Sequence, residues 1–303
     1  MVAGRRGTGG SAGGHRRELI DEGDRTPGGL MDDTTEEWLF ANRRKWDERV
    51  GVHAASRFYD VDGWLRRRPG PRTREVEVLG DVRGLDLLHL QCHFGLDTLA
   101  WADAGARVTG LDFSPEAIRK AEELARLAGL QDRAHFVCSD VYTATEALGH
   151  VTFDIVYVSL GALCWLPSVE RWADQAASSV RPGGRLYLHE VHPLAWALAN
   201  ESPEIEYSYF EETDPFVDDS NLTYTDTDRP LRRTRSYEWN HSIGEVVTAL
   251  IHRGLRIDVL EEHDWTVHQV FPWLVETDPG RWSAPEGRPR VPLTYTVLAT
   301  QTG

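Results

Sequence analysis

Short apolar segments alternate with helical segments over residues 85–191, and this alternation constrains the fold more than any other feature of the chain. The segments with strand character are LDLLHLQC, ARVTGLDF, AHFVCSD, FDIVYVSL and RLYLHEV. The clearest helix is SPEAIRKAEELARLAG, with Ser114 as its N-cap, Pro115 in its first turn and Gly129 as its stop. Apolar strands that are separated by helices form a parallel sheet with helices on both faces. We therefore predict an α/β fold with a doubly wound, Rossmann-like sheet.

The rest of the chain divides around this core. We predict a disordered tail at 1–30, a helical arm or lid at 31–80, the core at 81–192, an insert at 193–240 and a completion of the sheet at 241–303. The tail is rich in glycine and arginine and lacks the apolar residues that a core needs. The insert is acidic and aromatic and then basic, whereas the last segment returns to a regular pattern.

Charge and composition argue against several functional classes. The formal net charge of -15 argues against nucleic acid as a partner, because Lys and Arg drive binding to a phosphate backbone. No apolar stretch approaches the ~20 residues of a membrane-spanning helix. No hydrophobic segment follows the first arginines, so we expect no secretory leader and a cytoplasmic protein. The three cysteines form no CxxC pair and no metal-ligand spacing is visible, so we predict no metal.

Three residues follow the ends of successive predicted strands. Gly95 lies in the loop after the first strand, where a missing side chain allows a ligand to approach the backbone. Asp112 ends the second strand, where a carboxylate can accept both hydroxyls of a ribose. Asp140 ends the third, where a carboxylate can accept an adenine amino group. An acidic residue after a strand is, by itself, more often a helix cap or a loop charge than a ligand. Together they predict a nucleoside site at this edge of the sheet.

The order of these segments resembles that of the class I S-adenosylmethionine-dependent methyltransferases. The similarity runs from LLHLQCHFGLDTLAWADAGARVTGLDF through FVCSDVY and FDIVYVS to VRPGGRLYL, and the later helix in YEWNHSIGEVVTALIHRGL resembles one of the same fold. The resemblance implies a seven-stranded sheet with its last strand antiparallel, S-adenosylmethionine as the cofactor and methyl transfer as the activity.

The resemblance also implies roles for individual residues. Asp112 corresponds to the acid that binds the ribose, and Phe113 would lie against the adenine ring. Asp140 and Val141 correspond to the pair that binds the adenine amino group. Ser159, after the fourth strand, would face the methyl group and the acceptor.

The first motif of this chain, LHLQCHFG, differs from the common pattern of an acid followed by Gly-x-Gly-x-Gly. His89 stands in the place of the acid, Gln91 and His93 replace two glycines, and Gly95 is retained. The motif resembles that of a bacterial small-molecule branch of the family. Because the cofactor has no pyrophosphate, a full set of glycines is not required. We expect Gln91, His93 and Gly95 to contact the cofactor, with the Gln91 amide bonded to the methionine carboxylate or ammonium.

The sequence leaves alternative functions open. A nicotinamide oxidoreductase is disfavoured, because the bulky His93 and Phe94 stand where a dinucleotide needs a glycine-rich turn. A non-catalytic protein that binds S-adenosylmethionine remains an alternative, as does a protein or RNA methyltransferase. We predict an enzyme of specialised metabolism that methylates a small organic molecule at an oxygen, nitrogen or carbon. The sequence does not indicate the oligomeric state.

Three residues are candidate general bases for this reaction. Glu170 lies in the first turn of the helix after the fourth strand, His192 follows the fifth strand, and His241 precedes a predicted helix cap. Imidazole titrates near neutral pH, which suits a base. The alternatives are a helix-dipole partner for Glu170 and structural hydrogen bonds for the two histidines.

The acceptor pocket is expected among the aromatic residues of the arm and the insert. They are Trp38, Trp46, Phe58, Tyr59, Tyr207, Tyr209, Phe210 and Trp239. Such side chains enclose a flat organic molecule, although each can equally pack on the core. An anionic acceptor is one option, because the basic group of Arg232, Arg233 and Arg235 follows the acidic stretch. Neutralisation of that stretch is the other role for these arginines.

Overall fold

The computed structural model describes residues 33–212, 214–226 and 229–303. The predicted tail at 1–30 lies outside them. The helices are α1 (Asp33–Ala54), α2 (Val61–Arg67), α3 (Thr73–Leu79), α4 (Leu96–Asp103), α5 (Pro115–Leu127), α6 (Ala144–Ala147), α7 (Val169–Ser178), α8 (Pro193–Ala197) and α9 (Ile243–His252). Short 3-10 turns at Val141–Thr143 and Leu163–Trp165 follow the third and fourth strands. No described helix has both the length and the apolar character needed to cross a membrane.

Twelve strands complete the described structure. They are β1 (Asp86–Leu90), β2 (Arg107–Asp112), β3 (Ala134–Cys138), β4 (Phe153–Val158), β5 (Val180–Val191), β6 (Phe216–Asp218), β7 (Ser236–Glu238), β8 (Leu255–His263), β9 (Trp265–Thr266), β10 (Val275–Asp278), β11 (Arg281–Ser283) and β12 (Thr294–Gln301).

The main sheet has seven strands in the order β3-β2-β1-β4-β5-β12-β8. The first five in this order pair in parallel, and β12 is antiparallel to both β5 and β8. The predicted doubly wound, Rossmann-like sheet with its last strand antiparallel is therefore confirmed. Because the order reverses between β1 and β4, the loops after these strands diverge and leave a crevice at the carboxyl edge.

Helices cover both faces of this sheet. On one face α7 and α9 enclose a core that includes Val156, Trp172, Leu188, Val246 and Leu250. On the other face α4 and α5 enclose a core that includes Leu87, Trp101, Leu124, Ile155 and Tyr157. Nearly all of these side chains are fully buried, and such burial supplies most of the stabilisation of a domain this size.

The helix caps follow the sequence closely, with one exception at β5. Ser114 caps α5 by accepting a hydrogen bond of 3.1 Å from the Ala117 amide, and α9 begins with a capping box of Ser242 and Glu245. The segment LPSVERWADQAASSVRPGG predicts a helix that is ended by Pro182, whereas α7 already ends at Ser178. Val180 already pairs with Phe153 of β4 and the pairing resumes at Arg185, so Pro182 lies inside the long strand β5.

The arm helix α1 is fastened to the hairpin of β6 and β7 in the insert. Lys45 of α1 is fully buried, and its ammonium donates to Asp218 Oδ2 (2.9 Å), the Thr234 carbonyl (2.6 Å) and Ser236 Oγ (2.9 Å). The side-chain amide of Asn42 forms two hydrogen bonds of 2.8 Å with the backbone of Tyr237: its Nδ2 donates to the Tyr237 carbonyl, and its Oδ1 accepts from the Tyr237 amide. Arm and insert therefore form one cover over the carboxyl edge of the sheet. The five predicted segment boundaries stay a prediction.

Candidate functional site

A cavity of about 930 Å³ opens at the carboxyl ends of β1, β2, β3 and β4. Its volume lies near the upper end of the ~300–1,000 Å³ range of small-molecule sites. Every residue predicted to contact the cofactor lines it, namely Gln91, His93, Gly95, Asp112, Phe113, Asp140, Val141 and Ser159. The sheet brings these residues together because parallel strands end at a common edge.

The loop after β1 has left-handed backbone at each position where the family has a glycine. The φ angles are 57° at Gln91, 52° at His93 and 79° at Gly95. A side chain at such a φ angle costs roughly 1–2 kcal/mol. The loop thus retains the conformation of a glycine-rich turn, and two residues with side chains adopt it under strain. Strained residues of this kind cluster at functional sites.

Gly95 is also required for a packing reason that the sequence does not indicate. A Cβ atom there would lie 2.8 Å from the Phe136 ring and 3.1 Å from the Ala121 side chain. Gly95 therefore allows α4 to begin close against the neighbouring elements, in addition to lining the cavity.

Gln91 has an unused hydrogen-bond acceptor. Its amide nitrogen donates to the Ala162 carbonyl at 2.8 Å, which fixes the side chain between the loops after β1 and β4. Its Oε1 atom is buried and has no partner among the described residues. A buried carbonyl oxygen without a donor is destabilising, so a ligand with an N–H or O–H group would be favoured here.

Asp112 is held by backbone amides at the end of β2. Oδ2 accepts from the His93 amide at 2.8 Å, and Oδ1 accepts from the Ser114 amide at 2.9 Å. Burial raises the pKa of Asp112 to about 6, although the two amides oppose the shift. Each carboxylate oxygen keeps a further lone pair, so a ligand diol can still bind.

Asp140 and its neighbours form the opposite side of this half of the cavity. Asp140 accepts a 2.8 Å hydrogen bond from the Tyr142 amide and caps the turn after β3. Burial raises the pKa of its carboxyl. The buried Val141 and the half-buried Phe113 add apolar surface on either side. A flat, partly polar ring fits between such walls.

His89 cannot replace the negative charge of the acid whose place it takes. Its ring shares hydrogen bonds with Thr98 Oγ1 (2.8 Å) and Ser159 Oγ (3.1 Å), and it does not line the cavity. Burial lowers the pKa of His89 to about 4, so the ring is neutral near pH 7. The imidazole holds the side chain of Ser159, which lines the cavity. Gln91 also lines the cavity and is therefore closer to a bound ligand than His89 is.

Sequence reasoning missed Glu190, which organises the loop after β4. Its buried carboxylate accepts four backbone hydrogen bonds, from Gly161 (2.7 Å), Ala162 (2.7 Å), Leu163 (2.9 Å) and Val191 (2.6 Å). Burial nevertheless raises its pKa. This loop includes the Ala162 carbonyl that binds Gln91, so Glu190 indirectly fixes the Gln91 side chain. No local pattern identifies Glu190, because its strand segment resembles an ordinary core strand.

The second half of the cavity is aromatic and lies under the cover. Its rings are Trp46, Phe58, Tyr59, Trp64, Trp165, Tyr224 and Trp282. Three of the predicted aromatic residues are among them, whereas Trp38, Tyr207, Tyr209, Phe210 and Trp239 do not line the cavity. A flat organic molecule would find apolar contacts on several sides here.

Arm and insert meet directly above the loop after β1. The ring of His53 in α1 lies 3.1 Å from His93 Nε2 and 2.6 Å from Thr223 Oγ1, measured between the bonded atoms. The Tyr59 and Tyr224 hydroxyls share a short hydrogen bond. His93 thus contacts the cover as well as lining the cavity.

The structure does not bring the predicted general bases into the cavity. Glu170 is exposed in the first turn of α7. His192 caps α8 by accepting from the Leu194 amide (3.0 Å), and its Nε2 lies 2.8 Å from Glu262. Burial lowers the pKa of His192 despite that carboxylate. These contacts match the structural alternatives for both residues.

His241 is also engaged away from the cavity. Its Nε2 donates to the Leu166 carbonyl at 2.7 Å, and its Nδ1 lies 2.7 Å from Glu211. Burial opposes the charge of this ring, but Glu211 outweighs it and raises the pKa of His241. Glu211, His241 and Glu245 bring potential metal-ligand atoms within 4.8 Å of one another. Because both ring nitrogens are engaged and Glu245 belongs to the capping box of α9, this cluster is explained without an ion.

The basic group of the insert lies outside the cavity as well. Arg235 pairs with Asp219 through two hydrogen bonds of 2.9 Å, which neutralises part of the acidic stretch. The backbone amides of Arg232 and Arg233 donate to Glu48 of α1, and their side chains are exposed.

His268 is a second polar residue that sequence reasoning missed. It lines the aromatic half of the cavity beside Val267 and Gln269. Its Nδ1 and Nε2 atoms are both buried, and neither has a partner among the described residues. The segment that carries it, WTVHQV, has no motif that marks a site.

Comparison with known proteins agrees with this geometry. Residues 88–186 match the family described as a methyltransferase domain. A ubiquinone biosynthesis O-methyltransferase of Xanthomonas oryzae pv. oryzae is 31% identical over 153 residues, which are 48% of this chain and 61% of that protein. The chain thus spans between about half and two thirds of the length of the curated relatives it matches.

Solved structures with the same fold extend over most of the chain. An S-adenosylmethionine-dependent methyltransferase from Listeria monocytogenes is similar with a TM-score of 0.53 at 16% identity, over 76% of this chain and 97% of that one. One from Methanosarcina mazei gives 0.51 at 20% identity, over 77% and 99%. At these identities the likeness shows the fold alone. The fold is that of the class I S-adenosylmethionine-dependent methyltransferases.

Proposed function

We propose that this chain, a protein with a class I methyltransferase domain, transfers a methyl group from S-adenosylmethionine to a small organic acceptor. One observation carries the proposal: the loop at 91–95 and the residues Asp112, Asp140 and Ser159, each at the end of a different strand, line one cavity. That cavity continues into an aromatic half, which leaves room for a second molecule beside the cofactor.

The cofactor half offers a partner for each polar part of S-adenosylmethionine. Asp112 would accept the ribose hydroxyls, and Asp140 would accept the adenine amino group beside Phe113. The unpaired Gln91 Oε1 would accept from the methionine ammonium, for which neutral His89 offers no charge. The donors and acceptors of these residues therefore suit the cofactor.

When bound, S-adenosylmethionine supplies a methyl group that is activated by a positively charged sulfur. The residues of the chain then have to align the acceptor with that methyl group and exclude water. Glu190 holds the loop after β4 in place, and the cover of arm and insert supplies walls of the aromatic half. Positioning of this kind is the main contribution of the protein to such a displacement.

The charges of the cavity favour an uncharged acceptor over an anionic one. Arg57 is paired with Asp226 (2.7 Å), and Arg72 is paired with Glu75 (3.0 Å) and Asp97 (3.4 Å). Arg49 stacks against Trp46 and Trp165 but does not itself line the cavity. The proposal therefore assigns no anion-binding role to the insert.

We further propose that the enzyme acts in the cytoplasm. Cys92, Cys138 and Cys164 are free thiols, which is common in a reducing compartment.

Calorimetric titration of the full chain tests the proposal. We expect micromolar binding of S-adenosylmethionine and S-adenosylhomocysteine and no binding of NADH. Asp112→Ala should weaken the affinity at least about tenfold, since a charged hydrogen bond contributes roughly 1.5–3 kcal/mol. The matched control is Asp132→Ala, because Asp132 is exposed and lies outside the cavity.

Different failures of this test point to different alternatives. Binding of NADH, or of none of the three ligands, would contradict the cofactor assignment. Cofactor binding without methylation of any small molecule, protein or RNA would favour a non-catalytic binding protein. Transfer of labelled methyl groups to protein or RNA alone would favour the macromolecular alternative.

A further inference from the structure

We propose that His268 binds the hydroxyl group of the acceptor and takes its proton during methyl transfer, so that the substrate class is a hydroxylated aromatic or similarly flat molecule. This inference rests on the proposed function and deepens it by naming a group that contacts the acceptor. The geometry behind it is a buried, unpartnered imidazole in the wall of the aromatic half of the cavity.

The state of His268 is exceptional among the histidines of the described chain. The other histidines with buried rings have at least one ring nitrogen in a hydrogen bond; they are His53, His89, His93, His189, His192, His241 and His263. Buried polar groups almost always have a partner. A cavity-lining imidazole without one indicates that its partner comes from a ligand.

The surroundings of His268 define what this ligand can be. The ring makes an edge contact with Phe58 (5.2 Å between centroids) and lies 6.0 Å from the Tyr224 ring. Trp282 lines the same half of the cavity. These aromatic neighbours favour a flat apolar body, and the imidazole adds one polar contact to it.

His268 is also connected to the cofactor half through two rings. Tyr224 hydrogen-bonds to Tyr59, and the Tyr59 ring lies 5.8 Å from His93 and 4.7 Å from Phe94 in the loop after β1. A molecule of the size of one or two rings, seated against His268, would therefore extend toward the cofactor loop.

The charged groups around His268 leave its ring neutral. Burial, with a smaller contribution from the charge of Arg72, lowers the pKa of His268 to about 3. The charged groups on the neighbouring elements are engaged elsewhere, since Arg57 pairs with Asp226 and Arg72 with Glu75 and Asp97. Tyr224 contributes only a neutral phenol, because burial raises its pKa to about 12. A neutral imidazole has one N–H donor and one nitrogen lone pair, and the lone pair accepts from a hydroxyl.

The chemical step balances with this residue alone. The acceptor oxygen uses a lone pair to form the new C–O bond while the C–S bond breaks and leaves its electron pair on sulfur. The oxygen would become positively charged if it kept its proton, so the proton moves to the imidazole lone pair as the C–O bond forms. A weak base suffices at this stage, because the O–H group becomes strongly acidic. The imidazolium then releases the proton to water after the product leaves.

A binding experiment tests the hydroxyl contact without requiring turnover. Full-length protein with ¹⁵N-labelled histidine is saturated with S-adenosylhomocysteine and titrated with catechol, phenol or anisole, the last of which has no hydroxyl. We expect the His268 ring signal, assigned with His268→Gln, to shift with catechol and phenol and not with anisole. His268→Ala should weaken phenol binding about tenfold and leave anisole binding unchanged.

A turnover experiment tests the proton transfer. With the catechol or phenol that is methylated fastest, His268→Gln should lower kcat about 100-fold with KM within threefold, in line with the usual effect of general-base catalysis. Exposed His252 provides the matched control, and His252→Gln should leave kcat unchanged. Affinity for S-adenosylhomocysteine should be the same in all three proteins.

The outcomes separate this inference from the proposed function. If the wild-type protein does not bind S-adenosylhomocysteine, the proposed function itself is refuted. Normal cofactor binding with no phenol or catechol binding, with an unmoved His268 signal, or with equal affinities for phenol and anisole would overturn the role of His268. Unchanged kcat in His268→Gln would overturn its role in proton transfer.

Discussion

The backbone amide of His93 donates a 2.8 Å hydrogen bond to Asp112 Oδ2, which joins the strained loop after β1 to the acid at the end of β2. This contact requires the amide to point toward β2, and the left-handed φ of 52° at His93 is part of the backbone conformation that orients it. The loop and the carboxylate are therefore held together, although His93 and Asp112 are not neighbours in the sequence.

Ligand affinity should depend on the protonation of Asp112. In the proposed complex the ionised carboxylate accepts the ribose hydroxyls, and its pKa of about 6 means that it becomes protonated as the pH falls below 6. Binding of S-adenosylhomocysteine should thus be constant above about pH 7 and roughly tenfold weaker at about pH 5. Calorimetry across this range measures the effect. Asp112→Asn should bind weakly at every pH, and a slope of equal size in that variant would assign the titration to another group.

Relief of backbone strain at His93 should be measurable as stability. His93→Ala and His93→Gly both lose the His53 contact, but only glycine adopts a φ of 52° without penalty. The glycine variant should therefore be more stable than the alanine variant by about 1 kcal/mol in urea unfolding. The same pair of substitutions at exposed Arg126 within α5 should give the opposite order, because alanine is favoured in a helix. Equal stability of the two His93 variants would mean that the loop relaxes when the side chain is removed.

Removal of the Glu190 charge should destabilise the protein strongly. In Glu190→Gln the amide nitrogen would face backbone donors, so about two of the four hydrogen bonds would be lost and a buried clash of donors created. We expect the free energy of unfolding, measured by thermal or urea denaturation, to fall by roughly 2–4 kcal/mol.

Weaker cofactor binding should accompany this loss, because the same loop positions Gln91. Glu262→Gln is the control, since Glu262 is more than half exposed and bonds only to His192 in the described structure. We expect the free energy of unfolding of Glu262→Gln to differ from that of the wild type by less than about 1 kcal/mol. A similarly small change in Glu190→Gln would show that the loop holds its conformation without the carboxylate.

Sequence reasoning identified residues that line one half of the cavity, because strand ends can be recognised locally. Asp112 and Asp140 stand where apolar runs stop, and parallel strands carry them to one edge. The left-handed loop could also be anticipated, since Gly95 marks it. The two polar residues found only in the structure lack such local signals. Glu190 binds amides from a loop far away in sequence, and His268 owes its unpartnered state to walls contributed by α1's C-terminal connection and the insert.

The predicted general bases lie outside the cavity for a related reason. Glu170 and His192 follow strand ends as expected, but Glu170 is exposed, and His192 turns back to cap its own helix. The position of a residue in the sequence indicates at which edge of the sheet it lies. The direction of its side chain depends on its tertiary contacts, which the sequence does not show.

The contact between Lys45 and the insert should contribute several kcal/mol to the closed cover. Lys45→Met keeps the length of the side chain but leaves Asp218 without its buried cation. Breaking a buried pair in this way costs roughly 3–5 kcal/mol. Hydrogen exchange should accelerate in residues 216–218 and 236–238 well before the main sheet opens.

Lys120 of α5 provides the comparison, because it forms a more exposed pair with Glu123 and Lys120→Met should cost less than 1 kcal/mol. Uniform exchange across the Lys45→Met protein, without a local effect at the hairpin, would argue that the cover and the sheet unfold as one unit.

The fastening of α1 to the hairpin also limits how this protein can be re-engineered. A chimaera that imports residues 216–238 from another protein would leave the Lys45 ammonium enclosed among groups chosen for a different neighbour. Asn42 would likewise lose its two hydrogen bonds to the backbone of Tyr237. A graft that is intended to change the acceptor therefore has to exchange α1 and the insert together, although the two segments lie far apart in sequence.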